Sequence, residues 1–200
     1  MKLYYSPGAC SLSPHIVLCE AGLGHELVKV DLKTKKTEHG DDFNAINPKG
    51  YVPTLVTDDG EVLTEGPAIV QYLADLAPAS GLAPAAGSMA RVRLQEWLNF
   101  ISTEIHKGFS PLFRNAPAEW QEVVRSNLAN RFNHLAATLE QQPWLLGEQF
   151  SVADAYLFTV LNWSKWVKFD LSPWPALGAY LARVAARPGV QKALKKEGLA

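Results

Sequence analysis

The chain has 200 residues, room for one large domain or two modest ones. Hydrophobic residues make up 48% and charged residues 20%, a globular balance that excludes a disordered chain. A formal net charge of -1 gives no overall pull towards nucleic acid or an anionic membrane, so neither is expected as a partner.

The segment Lys2–Tyr5 reads as a short aromatic strand. Ser13-Pro14 then looks like an N-cap with proline at the first helical position, ahead of Ile16, Leu18 and Cys19. From Glu26 to Leu32, Val28, Val30 and Leu32 alternate with Lys29 and Asp31, which is strand periodicity. Asp41–Ile46 predicts a short helix closed by Asn47-Pro48. Thr54-Leu55-Val56 and Glu61–Thr64 flank a Thr57–Gly60 turn whose Asp59-Gly60 pair signals a hairpin. Gly66-Pro67 opens a helix carrying Ile69, Val70, Tyr72, Leu73 and Leu76. The order is β-α-β-α-β-β-α over residues 1–77.

Residues 78–88 are rich in Pro, Ala, Gly and Ser and read as a linker. From 89 to 200 the pattern is helical almost throughout. Leu94, Leu98, Ile101 and Ile105 recur at helical spacing, with Asn99, Thr103 and His106 on a neighbouring face. Gly108 and Pro111 are expected to bend or end that helix. A second helix is predicted over about 117–139. Ser151-Val152-Ala153-Asp154 resembles a capping box, with Asp in place of the usual Glu, and starts an apolar helix. Pro175 and Pro188-Gly189 bracket a further helix.

Two cysteines are too few for a multi-bridged secreted framework. No apolar run approaches the ~18 residues of a membrane span, and the start of the chain has no apolar signal core. A cytoplasmic location with reduced thiols is the expectation.

Cys10 follows a strand and precedes a helix, where the positive end of the helix dipole favours thiolate. Cys10-Ser11-Leu12-Ser13 also resembles a Cys-x-x-Cys redox turn whose second cysteine has become serine, able to form a mixed disulfide but not to resolve it internally. A buried, inert Cys10 is the plainer alternative. Cys19, mid-helix among apolar residues, reads as core. Val52-Pro53 stands at the start of a strand, where proline is either a cis X-Pro bond that presents the Val52 backbone outward or an ordinary trans residue entering an edge strand. Glu65-Gly66 offers a carboxylate for an ammonium and a helix-start amide for a carboxylate, which suits an amino-acid end; a plain helix start is equally open. His106 shares a stripe with Asn99 and Thr103 that faces either a cleft or solvent. His15, His25, His39 and His134 show no pairing or metal-like spacing and read as surface or partly buried residues, so no metal site is expected.

These motifs, in this order over the whole chain, resemble the cytosolic glutathione transferases. Met1–Cys10 (MKLYYSPGAC), Gly50–Thr54, Glu65–Ile69 and Ser151–Asp154 look like the bacterial beta class, and within it the enzymes of aromatic-compound degradation. The resemblance implies a thioredoxin-like N-terminal domain and an all-α C-terminal domain. Glutathione is implied as co-substrate, with a small hydrophobic electrophile and a homodimer. It implies Cys10 beside the glutathione sulfur, with Ser11 and Tyr5 as nearby hydroxyls. Val52, before a cis Pro53, would pair with the cysteinyl backbone. Glu65 and Gly66 would hold the γ-glutamyl end; beta-class proteins often carry serine where this chain has Gly66. Lys35 would reach the glycyl carboxylate. Asn99, Thr103 and His106, with Lys107 adjacent, would come from the helical half. Glu104 would serve a neighbouring subunit's site, and Ser151 and Asp154 would be structural. Conjugation is the activity implied. Thiol–disulfide exchange or reductive dehalogenation through a Cys10 mixed disulfide is a second reading. A ligand-binding protein with apolar ligands near Phe109, Phe113, Trp163 and Trp166 is a third.

Overall fold

The structure is a computed structural model that describes residues 1–114 and 116–200. It divides into two compact units, Met1–Leu82 with Arg187–Ala200, and Ala83–Ala186.

In the first unit, β1 (Lys2–Tyr5) and β2 (Glu26–Asp31) run parallel, joined by the helix α1 (Leu12–Glu20). The alternation in β2 buries Val28 and Val30 and leaves Lys29 and Asp31 in solvent. The two-residue strand β3 (Lys36–Thr37) pairs antiparallel with β2. Two residues are too few for periodicity to register, and the sequence pattern does not predict it. The Asp42 side chain accepts the Asn44 amide at 2.9 Å and starts α2 (Phe43–Ile46). A hairpin of β4 (Thr54–Val56) and β5 (Val62–Thr64) follows, with Val56 opposite Val62 and Gly60 at φ +85° in the turn. β4 lies antiparallel to β1, and α3 (Gly66–Leu76) closes the series. Among the described residues the sheet has five strands in the order β3-β2-β1-β4-β5.

This unit is held by burial on both faces of the sheet. Tyr4, Val28, Val30, Phe43 and Val52 form one cluster. On α1 and α3, which pack together, Ile16, Val17, Ile69, Val70 and Leu73 are fully buried. Each such side chain contributes about 1.5–3 kcal/mol from the area removed from water.

In the second unit, Ser88 caps α4 (Met89–Phe100) by accepting the Arg91 amide at 3.1 Å. The helix then passes without a break through a π-helical stretch, Ile101–His106, into α5 (Lys107–Phe113). The Lys107 amide bonds to the Ser102 carbonyl, five residues back, which widens the turn. Gly108 does not break the helix. It allows close packing instead, since a Cβ there would fall 2.8 Å from Leu128 Cδ2. Pro111 lacks the amide that would continue the ladder, and the helix stops at Phe113. Then come α6 (Ala118–Gln141), α7 (Val152–Leu161), α8 (Trp163–Trp166) and α9 (Pro175–Ala185). Every residue of α7 is buried, so it is the core of this unit.

The last helix, α10 (Pro188–Glu197), belongs to the first unit, so the helical unit ends at Ala186 rather than extending from 89 to 200. α10 packs along α1. Arg187 pairs with Glu20 at the end of α1, and Gly189 lies so close that a Cβ would fall 2.6 Å from Glu20 Oε1. The sequence conceals this return, because helical periodicity carries no record of which unit a helix packs on.

Candidate functional site

The turn between β1 and α1 carries Cys10. Ser11 is buried, and its hydroxyl accepts the Ser6 amide at 3.1 Å and donates to the Ser6 carbonyl at 3.3 Å. Both bonds of that hydroxyl lie within the turn. α1 begins at Leu12, ahead of the predicted Ser13 cap, and Ser13 Oγ donates to the Cys10 carbonyl at 3.1 Å. Cys10 is half-buried, and its thiol donates to the Val52 carbonyl at 3.1 Å, a bond that only the protonated sulfur makes. From the far end of the chain, Glu197 Oε2 accepts the Gly8 amide at 2.8 Å and steadies the turn. Burial first, then Glu197 and Glu38, pushes the Tyr5 hydroxyl above the ordinary tyrosine range.

The Val52–Pro53 peptide bond is cis. The loop before it is pinned by Asn47, whose amide donates to the Tyr51 carbonyl and to Thr54 Oγ1, each at 2.9 Å. Lys35 Nζ donates to the Gly50 carbonyl at 2.7 Å. Glu65, at φ +67°, precedes α3. Its carboxylate accepts Lys49 Nζ at 2.8 Å and the Tyr51 hydroxyl at 2.7 Å. Gly66 is the first residue of α3, where the helix dipole favours an anion. One edge of the first unit thus gathers a thiol, a cis X-Pro backbone, a carboxylate and a helix N-terminus.

The helical unit divides the predicted stripe. Asn99 and Thr103 are exposed, and Thr103 Oγ1 donates to the Asn99 carbonyl at 3.1 Å. Thr103, Glu104 and Lys107 line a cavity of about 250 Å³ with Trp120 and Arg131. His106 is not among its lining residues: its Nδ1 shares a 2.6 Å hydrogen bond with the Tyr156 hydroxyl, and its ring meets Trp163 edge-on at 4.7 Å. The widened π turn rotates His106 away from the face that regular helical spacing assigns it. Glu104 Oε2 takes both Arg131 Nε and Nη2, at 2.9 and 2.7 Å, an ion pair inside its own unit. Phe109 and Trp163 are buried and Phe113 and Trp166 exposed, and their rings touch in series, with centroids of Phe109–Trp163 at 6.0 Å, Trp163–Phe113 at 5.6 Å and Phe113–Trp166 at 6.5 Å.

Residues 8–76 match the family model described as the N-terminal domain of glutathione S-transferase, and residues 100–188 match the model of its C-terminal domain. The chain belongs to the glutathione S-transferase family. It is 50% identical over the full length of both chains to the glutathione S-transferase GstA of Escherichia coli O157:H7. A solved ternary complex of BphK, a bacterial transferase, is 61% identical over the full length of both chains, with a TM-score of 0.96. The beta-class transferase of Sphingomonas chungbukensis is 48% identical over both full chains, also with a TM-score of 0.96. The thioredoxin-like and all-α architecture, the transferase character and the likeness to the bacterial beta class are therefore established.

Within this transferase, the sequence pattern assigns no site role to Lys49 and Tyr51, which reach Glu65, and reads Asn47 only as a helix stop, whereas it pins the loop. Their only signal is position, in the Asn47–Tyr51 run directly before Val52-Pro53. It also missed Tyr156, which holds His106 from α7 at 50 residues' remove, and Glu197, which reaches Gly8 across 189 residues. His15 is a correction: it is fully buried and bonds Glu197 Oε1 through Nδ1 at 2.8 Å. His25 also has a neighbour, its ring lying 5.5 Å from that of His15. Cys19, expected in the core, is half-buried.

Proposed function

We propose that the Cys10 edge of the first unit binds glutathione and that the protein transfers its sulfur to small hydrophobic electrophiles. The observation that carries this reading is the Cys10 thiol on the Val52 carbonyl, next to the cis Pro53 and near the Glu65-Gly66 start of α3. Val52 would pair its backbone with the cysteinyl residue of glutathione. Glu65 would take the γ-glutamyl ammonium, and the Gly66 amide its α-carboxylate. Lys35 would turn from the Gly50 carbonyl to the glycyl carboxylate. Tyr5 would supply a nearby hydroxyl. His106 is the group of the helical unit we assign to the reaction, its ring fixed by Tyr156 and Trp163. Asn99, Thr103 and Lys107 would contribute polar contacts. Ser11, Ser151 and Asp154 are structural in this reading. Glu104 is held by Arg131, which makes a role in another subunit's site the weakest of the assigned roles.

A thiol bound here loses its proton more readily where donors converge on the sulfur. The Cys10 S–H, released from the Val52 carbonyl, is one such donor. The glutathione thiolate then attacks the electrophilic carbon, a carbon–sulfur bond forms, and the leaving group departs with its electron pair. The proton goes to solvent. The protein acts as a cytoplasmic homodimer in this proposal. Among the described residues, no helix is long and apolar enough to cross a membrane.

The test is retention on immobilised glutathione together with turnover of an aryl halide. No binding at millimolar glutathione overturns the reading. A second reading is favoured by the half-buried thiol of Cys10, unbridged and followed by Ser13 in place of a resolving cysteine. Here the Cys10 thiolate attacks a mixed disulfide of glutathione, taking up the glutathionyl group and releasing the substrate thiol; one reduced glutathione then displaces Cys10 and leaves as oxidised glutathione. Cys10→Ala separates the two. Conjugation that survives while disulfide exchange disappears assigns Cys10 to redox chemistry, and conjugation that collapses places it in the transfer.

A further inference from the structure

We propose that His15, Cys19 and His25 bind one borderline-soft divalent cation of the zinc class, apart from the Cys10 site. His15 and Cys19 stand four residues apart on one face of α1, and His25 immediately precedes β2. One ligand atom from each residue lies within 4.8 Å of the other two. The His15 and His25 rings meet edge to face, with centroids 5.5 Å apart.

The hydrogen bonds decide what these rings offer one another. Glu197 Oε1 accepts from His15 Nδ1 at 2.8 Å, so the proton of His15 sits on Nδ1. The Leu23 carbonyl accepts from His25 Nδ1 at 2.8 Å, which fixes the same tautomer there. On a neutral imidazole with its proton on Nδ1, Nε2 carries the lone pair that can ligate. Both Nε2 atoms are buried without a hydrogen-bond partner, and His15 is wholly shielded from solvent. Buried polar atoms are paired in the great majority of cases, so two orphaned acceptors beside a thiol call for a common partner. A cation satisfies all three atoms together. A carboxylate on one histidine and a backbone carbonyl on the other are the outer contacts that orient metal-bound imidazoles.

Two nitrogens and a sulfur select a zinc-like ion over magnesium or calcium, which take oxygen ligands. Tetrahedral zinc, with bonds of about 2.0–2.3 Å, holds its ligand atoms roughly 3.3–3.7 Å apart. The cluster needs to contract by about 1 Å on binding, through rotation of the half-buried Cys19 and His25 side chains. Those two also leave a way in from solvent and room for water as a fourth ligand. Binding converts the Cys19 thiol to thiolate and releases one proton to solvent; no electron is transferred.

The test uses the full chain, stripped with chelator and titrated with Zn²⁺ and, for its spectrum, Co²⁺. Binding of one Zn²⁺ per chain is expected, with one proton released and a cobalt–thiolate charge-transfer band in the near ultraviolet. Cys19→Ser abolishes the band and His25→Gln weakens Zn²⁺ binding at least tenfold, while Cys10→Ala leaves both intact. Because either cluster variant could disturb folding, alkylation of the unmodified chain gives an independent measure: Zn²⁺ slows modification of Cys19 at least tenfold and leaves that of Cys10 unchanged. A band that survives Cys19→Ser or vanishes with Cys10→Ala overturns the proposal. So does an alkylation rate at Cys19 that ignores Zn²⁺.

Discussion

Lys49 holds the Glu65 carboxylate at 2.8 Å, so the acidic group proposed for the ligand's ammonium is already matched by a cation of the same loop region. The Tyr51 hydroxyl shares the same oxygen at 2.7 Å. Both side chains of the ion pair are about half exposed, and exposed pairs contribute little, so Lys49 yields to an incoming ammonium at small cost. Lys49→Met should tighten glutathione binding by about two- to fivefold, with an effect that shrinks at high salt. Glu65→Gln should weaken it by tenfold or more, since the ammonium then meets no charge. Calorimetric titration at two ionic strengths checks both, and a Lys49→Met variant that binds more weakly removes Glu65 as the ammonium site.

Gly66 has room for an added hydroxyl. A Cβ there would lie 3.9 Å from Pro53 Cγ, ordinary contact distance, so a serine fits without displacing its neighbours. Its Oγ would add a donor beside the amide at the start of α3. Hydrogen bonds to charged groups are among the stronger ones, and Gly66→Ser should lower the glutathione KM by about three- to tenfold with kcat nearly unchanged. A higher KM would place the γ-glutamyl carboxylate elsewhere.

The first unit was the more legible of the two in sequence because its signals are local. The Val28/Val30 alternation, the Asp59-Gly60 turn and the Gly66-Pro67 helix start each act within a few residues, and each stands in the fold as a strand, a turn and a helix end. Cys10 and Val52, 42 residues apart, came together in the reading only through family resemblance; the structure joins them at 3.1 Å. What escaped was non-local or broke a period. Nothing near His15 announces Glu197, 182 residues away. The π stretch at Ile101–His106 defeats a prediction built on regular helical spacing, so Thr103 and His106 part company.

Asp154 gives a stability prediction with an unusual sign. Its carboxylate accepts the Leu145 amide at 3.0 Å, the Ser151 amide and hydroxyl at 2.9 Å each, and the Tyr180 hydroxyl at 3.1 Å. Asp154→Ala removes this acceptor. The Tyr180 hydroxyl keeps the Asp154 carbonyl at 3.2 Å, so three donors lose their partner; at the low end of about 1–3 kcal/mol each, the loss should be at least about 3 kcal/mol, a fall of roughly 10 °C in Tm. Burial outweighs these bonds and raises the Asp154 pKa above the ordinary aspartate range. A group with a raised folded pKa contributes stability that is fully present below its unfolded value and is lost as pH rises through the folded one. The stability of the unmodified chain relative to Asp154→Asn should therefore be greatest at or below the ordinary aspartate pKa and narrow as pH climbs above it. Thermal melts of the two proteins across acid pH read this directly, and a gap that widens with pH contradicts it.

Tyr156 tests whether His106 works on the reaction or merely packs. Tyr156 lies inside the buried helix α7, and its hydroxyl holds His106 Nδ1 at 2.6 Å while Trp163 supports the ring. Tyr156→Phe keeps the packing and deletes one hydrogen bond, a change of about 0.5–1.5 kcal/mol in stability. If His106 has to hold one orientation in the transition state, losing that anchor should lower kcat by about five- to twentyfold and leave the glutathione KM within about twofold. His106→Asn should lower kcat at least as far, and combining the two should add little, because residues acting as a unit are not additive. A variant that melts earlier yet turns over at the original rate would make the His106–Tyr156 pair a brace of the helical unit, with no part in the transfer.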